Sequence, residues 1–121
     1  MGSREFSRHQ RLATEVMRTL SELLQFETKD PRLQRVSLTS VDLSRDLSVA
    51  RVYFSLLDPD ADSEPVLEGL DRASGFLRSK LGHALKIRHV PELRFTHDDS
   101  AEQSAKISEL IDSALHTDDH R

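Results

Sequence analysis

The segment from Leu47 to Leu57 restricts the fold more than any other part of the sequence, because its side chains alternate in polarity with a period of two. The apolar positions are Ala50, Val52, Phe54 and Leu56, and the positions between them are Val49, Arg51, Tyr53 and Ser55. This alternation is typical of a strand in a sheet with one face on helices and the other face in water. A strand of this kind needs a neighbour. The preceding Val36–Leu43, rich in β-branched residues, is predicted to pair with it across a turn at 44–46.

The residues before these strands predict a long helix. Ser7 with Gln10 three positions later has the pattern of a capping box. Apolar residues then recur at every fourth position, which marks one face of a helix; they are Leu12, Val16, Leu20 and Leu24. We expect this helix to end near 26–28, because Asp30-Pro31 disfavours its continuation.

The segment 66–95 predicts two helices and a strand. Asp62 or Ser63 caps the first helix, and the sequence Ala73-Ser74-Gly75 predicts a break. A second helix resumes the apolar stripe with Leu77, Leu81 and Leu85. A short strand, 92–96, follows Pro91. The backbone freedom of Gly75 would let the chain bend between the two helices.

A last helix is predicted to begin near Asp99 or Ser100, with its core face formed by Ile107, Leu110, Ile111, Ala114 and Leu115. The order is α-β-β-α-kink-α-β-α, an α+β architecture with a three-stranded sheet packed on helices. We expect one domain, 1–121, ordered over about 5–115, with a short acidic and histidine-containing tail at 116–121.

Composition excludes several classes of site. The chain has 121 residues and no cysteine, so it can form neither a disulfide nor a thiolate metal site. We expect no membrane span, because no apolar run is long enough, and a cytoplasmic location, because no apolar signal region follows Arg4. The acids Asp58, Asp60 and Asp62 resemble half of a calcium loop, but Ser63 occupies the position that requires glycine.

The six histidines do not have the spacing of a metal site, and the acids after His97 are explained as charges at a helix N-terminus. The sequence contains no glycine-rich phosphate loop and no nucleophile elbow. We therefore expect no enzymatic activity, no metal and no cofactor.

Positive charge is concentrated in 66–95, although the whole chain has a net charge of −4. Six of the 17 basic residues lie there, against three acids, which gives a local net charge of 6 − 3 = +3. The basic residues are Arg72, Arg78, Lys80, Lys86, Arg88 and Arg94. A polyanion such as RNA suits this surface. A solvated helix face explains the charges equally well.

Four motifs extend over nearly the whole chain: KDPRL at 29–33, SRDLSVARVY at 44–53, RASGFLRSKLG at 72–82 and VPELRFTHDDS at 90–100. With these motifs the chain resembles the ribosome-binding factor A family, small bacterial proteins of the KH type II fold. In that family an interhelical Ala-x-Gly kink replaces the GxxG loop of other KH domains. Ala73, Ser74 and Gly75 match it.

The resemblance implies a non-catalytic assembly factor, active in cold adaptation and monomeric in solution. It would bind the immature small (30S) ribosomal subunit and 16S rRNA, and assist late maturation and processing of the 5′ end. The implied RNA contacts are Ser74, Gly75, Arg78, Lys80, Lys86 and Arg88, with Arg8, Arg11 and Arg45 as further candidates. The alternative is a protein–protein adaptor that docks a basic ribosomal protein through the acidic loop and tail. Many members carry a charged C-terminal extension, and the chain departs from them there.

Overall fold

A computed structural model describes residues 2–58, 60–99 and 111, and describes side chains from residue 8 onward. The described elements are α1 (Gly2–Glu22), a π-helical turn (Leu23–Glu27), α2 (Pro31–Gln34), β1 (Val36–Leu43), β2 (Val49–Leu56), α3 (Ser63–Leu85) and β3 (Glu92–His97). The helices pack on one face of the sheet. The α+β class is thereby confirmed.

Helix α1 begins earlier than the capping pattern predicts. It starts at Gly2 rather than Ser7, because a capping box marks only a possible start and no proline stops the helix before it. The predicted apolar stripe is confirmed: Val16 and Leu20 of α1 and Leu24 of the π-helical turn are all buried. The predicted end is also confirmed, since the π-helical turn ends at Glu27.

Helix α2 was not predicted, because Asp30-Pro31 indicated only the end of the preceding helix. The same two residues start this short helix. Asp30 Oδ1 accepts a hydrogen bond from the Arg32 amide at 3.0 Å, and Pro31 occupies the first turn, where its missing N–H costs nothing. Leu33 is then turned into the core.

The sheet has the order β1-β2-β3, with β1 antiparallel and β3 parallel to the central strand. The alternation in β2 is confirmed, because Ala50, Val52 and Phe54 are fully buried. Strand β1 alternates less regularly because its register shifts between Leu38 and Ser40. This bulge lets Leu38 and Leu43, five positions apart, both point into the core.

Helix α3 is the crossover that the parallel pairing of β2 and β3 requires. Asp62 caps it by accepting a hydrogen bond from the Glu64 amide at 3.1 Å. The prediction of two helices divided by a break is wrong, because one helix runs through residues 73–75. Leu70 and Leu77 are both fully buried seven residues apart on one face, and their packing outweighs the low helix propensity of Gly75.

Strand β3 is confirmed and extends one residue beyond the prediction, to His97. The predicted last helix falls almost entirely outside the described residues, as does the tail at 116–121. Ile111, which is described, is helical and 53% exposed. Among the described residues, no helix has the length and apolar character needed to span a membrane.

Candidate nucleic-acid interface

The Ala-x-Gly pattern lies in the middle of α3, where Ala73 packs against the core, Ser74 is half-buried and Gly75 is exposed. The Ser74 hydroxyl donates a hydrogen bond to the carbonyl of Asp71 at 2.8 Å, one turn earlier in the same helix. Gly75 is exposed, its φ is not positive, and a Cβ built on it would meet no atom within 4 Å. The fold itself therefore does not require glycine at 75, and the exposed main chain there is open to a close approach from outside.

Arg78 lies on the side of α3 that faces the start of β3. Its Nε donates to the carbonyl of Pro91 at 3.0 Å, and its second guanidinium nitrogen donates to the carbonyl of Val90 at 2.9 Å. Residues 90 and 91 precede β3, so these bonds fix the connection between the helix and the strand. The guanidinium thus has a structural role, whatever it contacts outside the protein.

Lys80 lies on the other side of α3, because two residues apart on a helix point about 200° away from each other. Its Nζ is 3.8 Å from a carboxylate oxygen of Glu27 and 5.8 Å from the centre of the Phe76 ring. Arg78 and Lys80 were expected to contribute to one RNA surface. The helix geometry places them on different surfaces.

Lys86 and Arg88 are exposed in the connection that follows α3. Lys86 ends the helix in the left-handed conformation, with φ of 54°, and the Ile87 amide donates to the Gly82 carbonyl at 3.2 Å. Gly82 permits the chain to turn back tightly, since a Cβ there would lie 2.7 Å from Cγ2 of Val90. The two cations are thus presented by a short, well-anchored turn.

Arg45 is exposed in the loop between β1 and β2, which Asp46 organises. Oδ1 of Asp46 accepts hydrogen bonds from the Ser48 hydroxyl at 2.7 Å, the Ser48 amide at 3.1 Å and the Ser44 hydroxyl at 2.9 Å. These bonds favour the ionised carboxylate, and the pKa of Asp46 is lowered, chiefly by the Ser48 hydroxyl. The loop is therefore held in one shape, with Arg45 directed to solvent.

Two contacts join this loop to its neighbours. Nε2 of His9 lies 2.8 Å from the carbonyl of Leu43, which ties α1 to the end of β1. The Glu92 amide donates to the carbonyl of Ser48 at 2.8 Å, which ties the loop to the start of β3. These contacts bring three segments that carry cations to the same end of the sheet. We call this set the basic end: Arg8, Arg11, Arg45, Lys86 and Arg88.

Sequence reasoning missed one part of the surface, where Arg32 and Asp30 form a salt bridge with a closest distance of 2.8 Å. This bond and the Arg32 amide lower the pKa of Asp30, and the carboxylate in turn raises the pKa of Arg32. Asp-Pro followed by Arg is a recognisable start of a helical turn, so the local signal was available. That the Asp30–Arg32 salt bridge lies close to α3 could not be predicted from the neighbouring residues. Across the described ranges, no cluster of three His, Cys, Asp or Glu side chains is placed to hold a metal.

Comparisons with known proteins agree with the fold and the motifs. The family model for ribosome-binding factor A matches residues 8–111. Ribosome-binding factor A of Thioalkalivibrio sulfidiphilus is 44% identical over 115 residues, covering 95% of this chain and 89% of that protein. The protein of the same name from Aromatoleum aromaticum is 43% identical over 118 residues, covering 98% of this chain and 93% of its own length.

Solved structures are similar too. The crystal structure of ribosome-binding factor A from Thermus thermophilus matches with a TM-score of 0.67 and 31% identity, over 74% of this chain and 93% of that one. A homology model of the Thermus thermophilus factor, fitted into a cryo-EM map of its 30S complex, matches with a TM-score of 0.62 and 31% identity, over 72% and 91% of the two chains. The KH type II-like fold is thereby confirmed, and the chain belongs to the ribosome-binding factor A family.

Proposed function

We propose that this protein binds the immature 30S subunit through 16S rRNA, and assists late maturation and 5′-end processing by occupancy, without catalysis. Membership of the family supports this proposal, as does the related Thermus thermophilus factor fitted into the map of a 30S complex. Occupancy means that the bound protein holds rRNA in one arrangement until the subunit matures.

The observation that carries the proposal is the convergence of cations at the basic end. Within the described part of the chain, none of these cations forms an ion pair, and all five are exposed. The nearby acids are already engaged: Asp46 is held by two serines, and Glu92 lies 3.4 Å from Arg94. Phosphates can therefore be neutralised at this end without breaking contacts within the protein, and the release of their counterions favours binding.

Gly75 extends this surface along α3. Gly75 and Lys86 are separated by 11 positions, which on an α-helix places them on the same face, about 16 Å apart along the axis. A phosphate backbone that contacts the basic end at Lys86 could follow this face as far as Gly75, where no side chain keeps it from the helix. This arrangement favours docking on the shape of folded rRNA over readout of single-stranded bases.

The proposal is tested by co-sedimentation with immature small subunits. The double charge reversal Arg45→Glu with Arg88→Glu should abolish binding, because both substitutions place acids against rRNA phosphates. The matched control is Arg18→Glu with Arg35→Glu, two exposed arginines outside the basic end. The control should bind normally. If the basic-end variant binds small subunits as well as the control does, the basic end does not contact rRNA.

The adaptor alternative places the partner at the acidic loop instead. Two of the loop acids have roles within the fold: Asp58 accepts a hydrogen bond from the Asp60 amide at 3.0 Å, and Asp62 caps α3. An adaptor would lose subunit binding after Asp60→Asn with Glu64→Gln. It would keep binding after the reversal at the basic end.

A further inference from the structure

A pocket of about 420 Å³ lies between α3 and the segment that joins α1 to β1. One wall is formed by residues 27–30 with Arg32 and Leu33, and the other by four residues of α3: Gly69, Arg72, Ala73 and Phe76. Its volume falls within the range of sites that hold small ligands, roughly 300–1,000 Å³. The pocket is distinct from the basic end, and none of its lining residues belongs to that set of cations.

The floor of the pocket is apolar and closely packed. Leu33 is only 2% exposed, and a Cβ on Gly69 would lie 3.2 Å from the Leu33 side chain and 3.4 Å from the Asp30 carboxylate. Glycine at 69 thus allows α2 and α3 to approach closely. Because its floor is part of the packed core, the pocket is formed in the free protein, and its ligand does not have to order it.

The charges around the pocket favour an anion. Its two acids are engaged: Asp30 forms the salt bridge with Arg32, and Glu27 lies 3.8 Å from Lys80. Lys29 and Arg72 are exposed, and neither has an acidic partner among the described residues. An incoming ligand therefore meets two cations that form no ion pair, which suit a phosphate better than a peptide carboxylate, since phosphate accepts several charge-assisted hydrogen bonds.

Phe76 adds an aromatic surface to the same pocket. Phe76 is 43% exposed, and Nζ of Lys80 lies 5.8 Å from the centre of its ring. Exposed aromatic rings next to cations are the means by which proteins hold unpaired bases: the base stacks on the ring and the cations contact the backbone. Apolar floor, exposed ring and free cations together describe a nucleotide site.

We propose that this pocket binds a single unpaired RNA nucleotide, whose base packs against Phe76 and whose phosphate is held by Lys29 and Arg72. The inference rests on the proposed function, because it takes RNA as the partner, but it uses a different surface. The basic end would dock folded rRNA by its backbone, whereas the pocket would hold one base that is not paired. The protein would then favour the rRNA arrangement in which that base is free.

The test is fluorescence anisotropy with a labelled, unstructured octaribonucleotide. Phe76→Ala should weaken binding by about 5- to 150-fold, the range found for the loss of one base–aromatic stack. Phe76→Tyr should bind within about twofold of wild type, because it keeps the ring. Phe26→Ala is the matched control: Phe26 is 74% exposed, lies next to the pocket residue Glu27, and does not line the pocket.

A second variant guards against an effect of Phe76→Ala on folding. Arg72→Ala, on the exposed face, should lower the slope of log affinity against log salt by about one, as expected for one lost phosphate contact. Arg18→Ala should leave the slope unchanged. A fully paired RNA duplex offers no free base, so Phe76→Ala should not alter its binding.

The results separate this inference from the proposed function. Unchanged octaribonucleotide binding by Phe76→Ala would overturn the pocket inference, and loss of subunit binding by the basic-end reversal would still support the proposed function. Weaker octaribonucleotide binding by Phe76→Ala, with undiminished subunit binding by the reversal, would support the pocket and refute the basic end. If Phe76→Ala weakened subunit binding alone, the pocket would hold a ribosomal protein side chain, and the nucleotide assignment would be wrong.

Discussion

Replacement of Arg78 should reduce the stability of the protein, although the charge pattern predicts an RNA contact at this position. Its guanidinium donates to the carbonyls of Pro91 and Val90, and Pro91 is fully buried. A hydrogen bond from a charged group contributes about 1.5–3 kcal/mol to the free energy of unfolding. Only the bond to Pro91 is counted in full, because that bond is partly buried, whereas water can replace the exposed bond to Val90. Arg78→Ala should therefore destabilise the protein by about 2 kcal/mol.

The measurement is chemical denaturation followed by circular dichroism, together with the thermal midpoint. A loss of about 2 kcal/mol should lower the midpoint by about 8 °C in a chain of this length. Arg78→Lys keeps the charge but lacks the planar fork that reaches both carbonyls, so it should recover only part of the loss. Arg88→Ala is the control, since Arg88 is exposed and has no described hydrogen bond.

The reasoning is refuted if Arg78→Ala and Arg88→Ala unfold at the same denaturant concentration as wild type. A second outcome bears on the interface. If Arg78→Lys binds small subunits normally while its stability is reduced, the guanidinium stabilises the fold and only the positive charge at position 78 contributes to subunit binding. A charge reversal at Arg78 is therefore a poor test of RNA binding, because it disturbs the start of β3 at the same time.

Three further predictions concern glycine and loop chemistry. Gly82→Ala should destabilise by about 1–3 kcal/mol through its clash with Val90, and Val90→Ala in the same chain should restore most of the loss in denaturation experiments. Gly75→Ala should instead stabilise by about 0.5–1 kcal/mol, yet weaken co-sedimentation with small subunits; stronger co-sedimentation would contradict the proposed approach. Since Asp46 has a lowered pKa in the folded state, its stabilising effect is present above the ordinary value of 3.8 and lost as pH falls through the lowered value, so wild type and Asp46→Asn should converge in stability at low pH.

Much of the fold follows from local patterns. The bounds of β1, the end of the first helical segment and the buried face of β2 were predicted correctly, because β-branched content, a proline and a side-chain period of two, respectively, are local signals. The irregular alternation of apolar and polar side chains in β1 was visible in the sequence, but its cause was not. It results from the bulge between Leu38 and Ser40, and a bulge is defined only by the register of the partner strand.

The candidate site was less predictable than the fold. The cations of 66–95 were visible in the sequence, but their grouping was not. Arg78 bonds the main chain, and Lys80 lies on another side of α3 near Glu27. The basic end instead combines residues from three segments. Contacts such as that between His9 and the carbonyl of Leu43, 34 positions apart, leave no local trace in the sequence.

The sequence by itself determined the three strands, their order and the helical segments around them, because periodicity, caps and turn residues act over a few positions; it did not determine α2 or the continuity of α3. The four motifs determined the resemblance to the family. Tertiary structure decided whether Gly75 interrupts α3: its low helix propensity favours a break, and the burial of Leu70 and Leu77 on one face overrides it. Packing also decided which charges are already paired within the protein and which remain for a partner. The continuity of α3 and the pairing of charges depend on distances between residues that lie far apart in the chain, so no local sequence pattern predicts them.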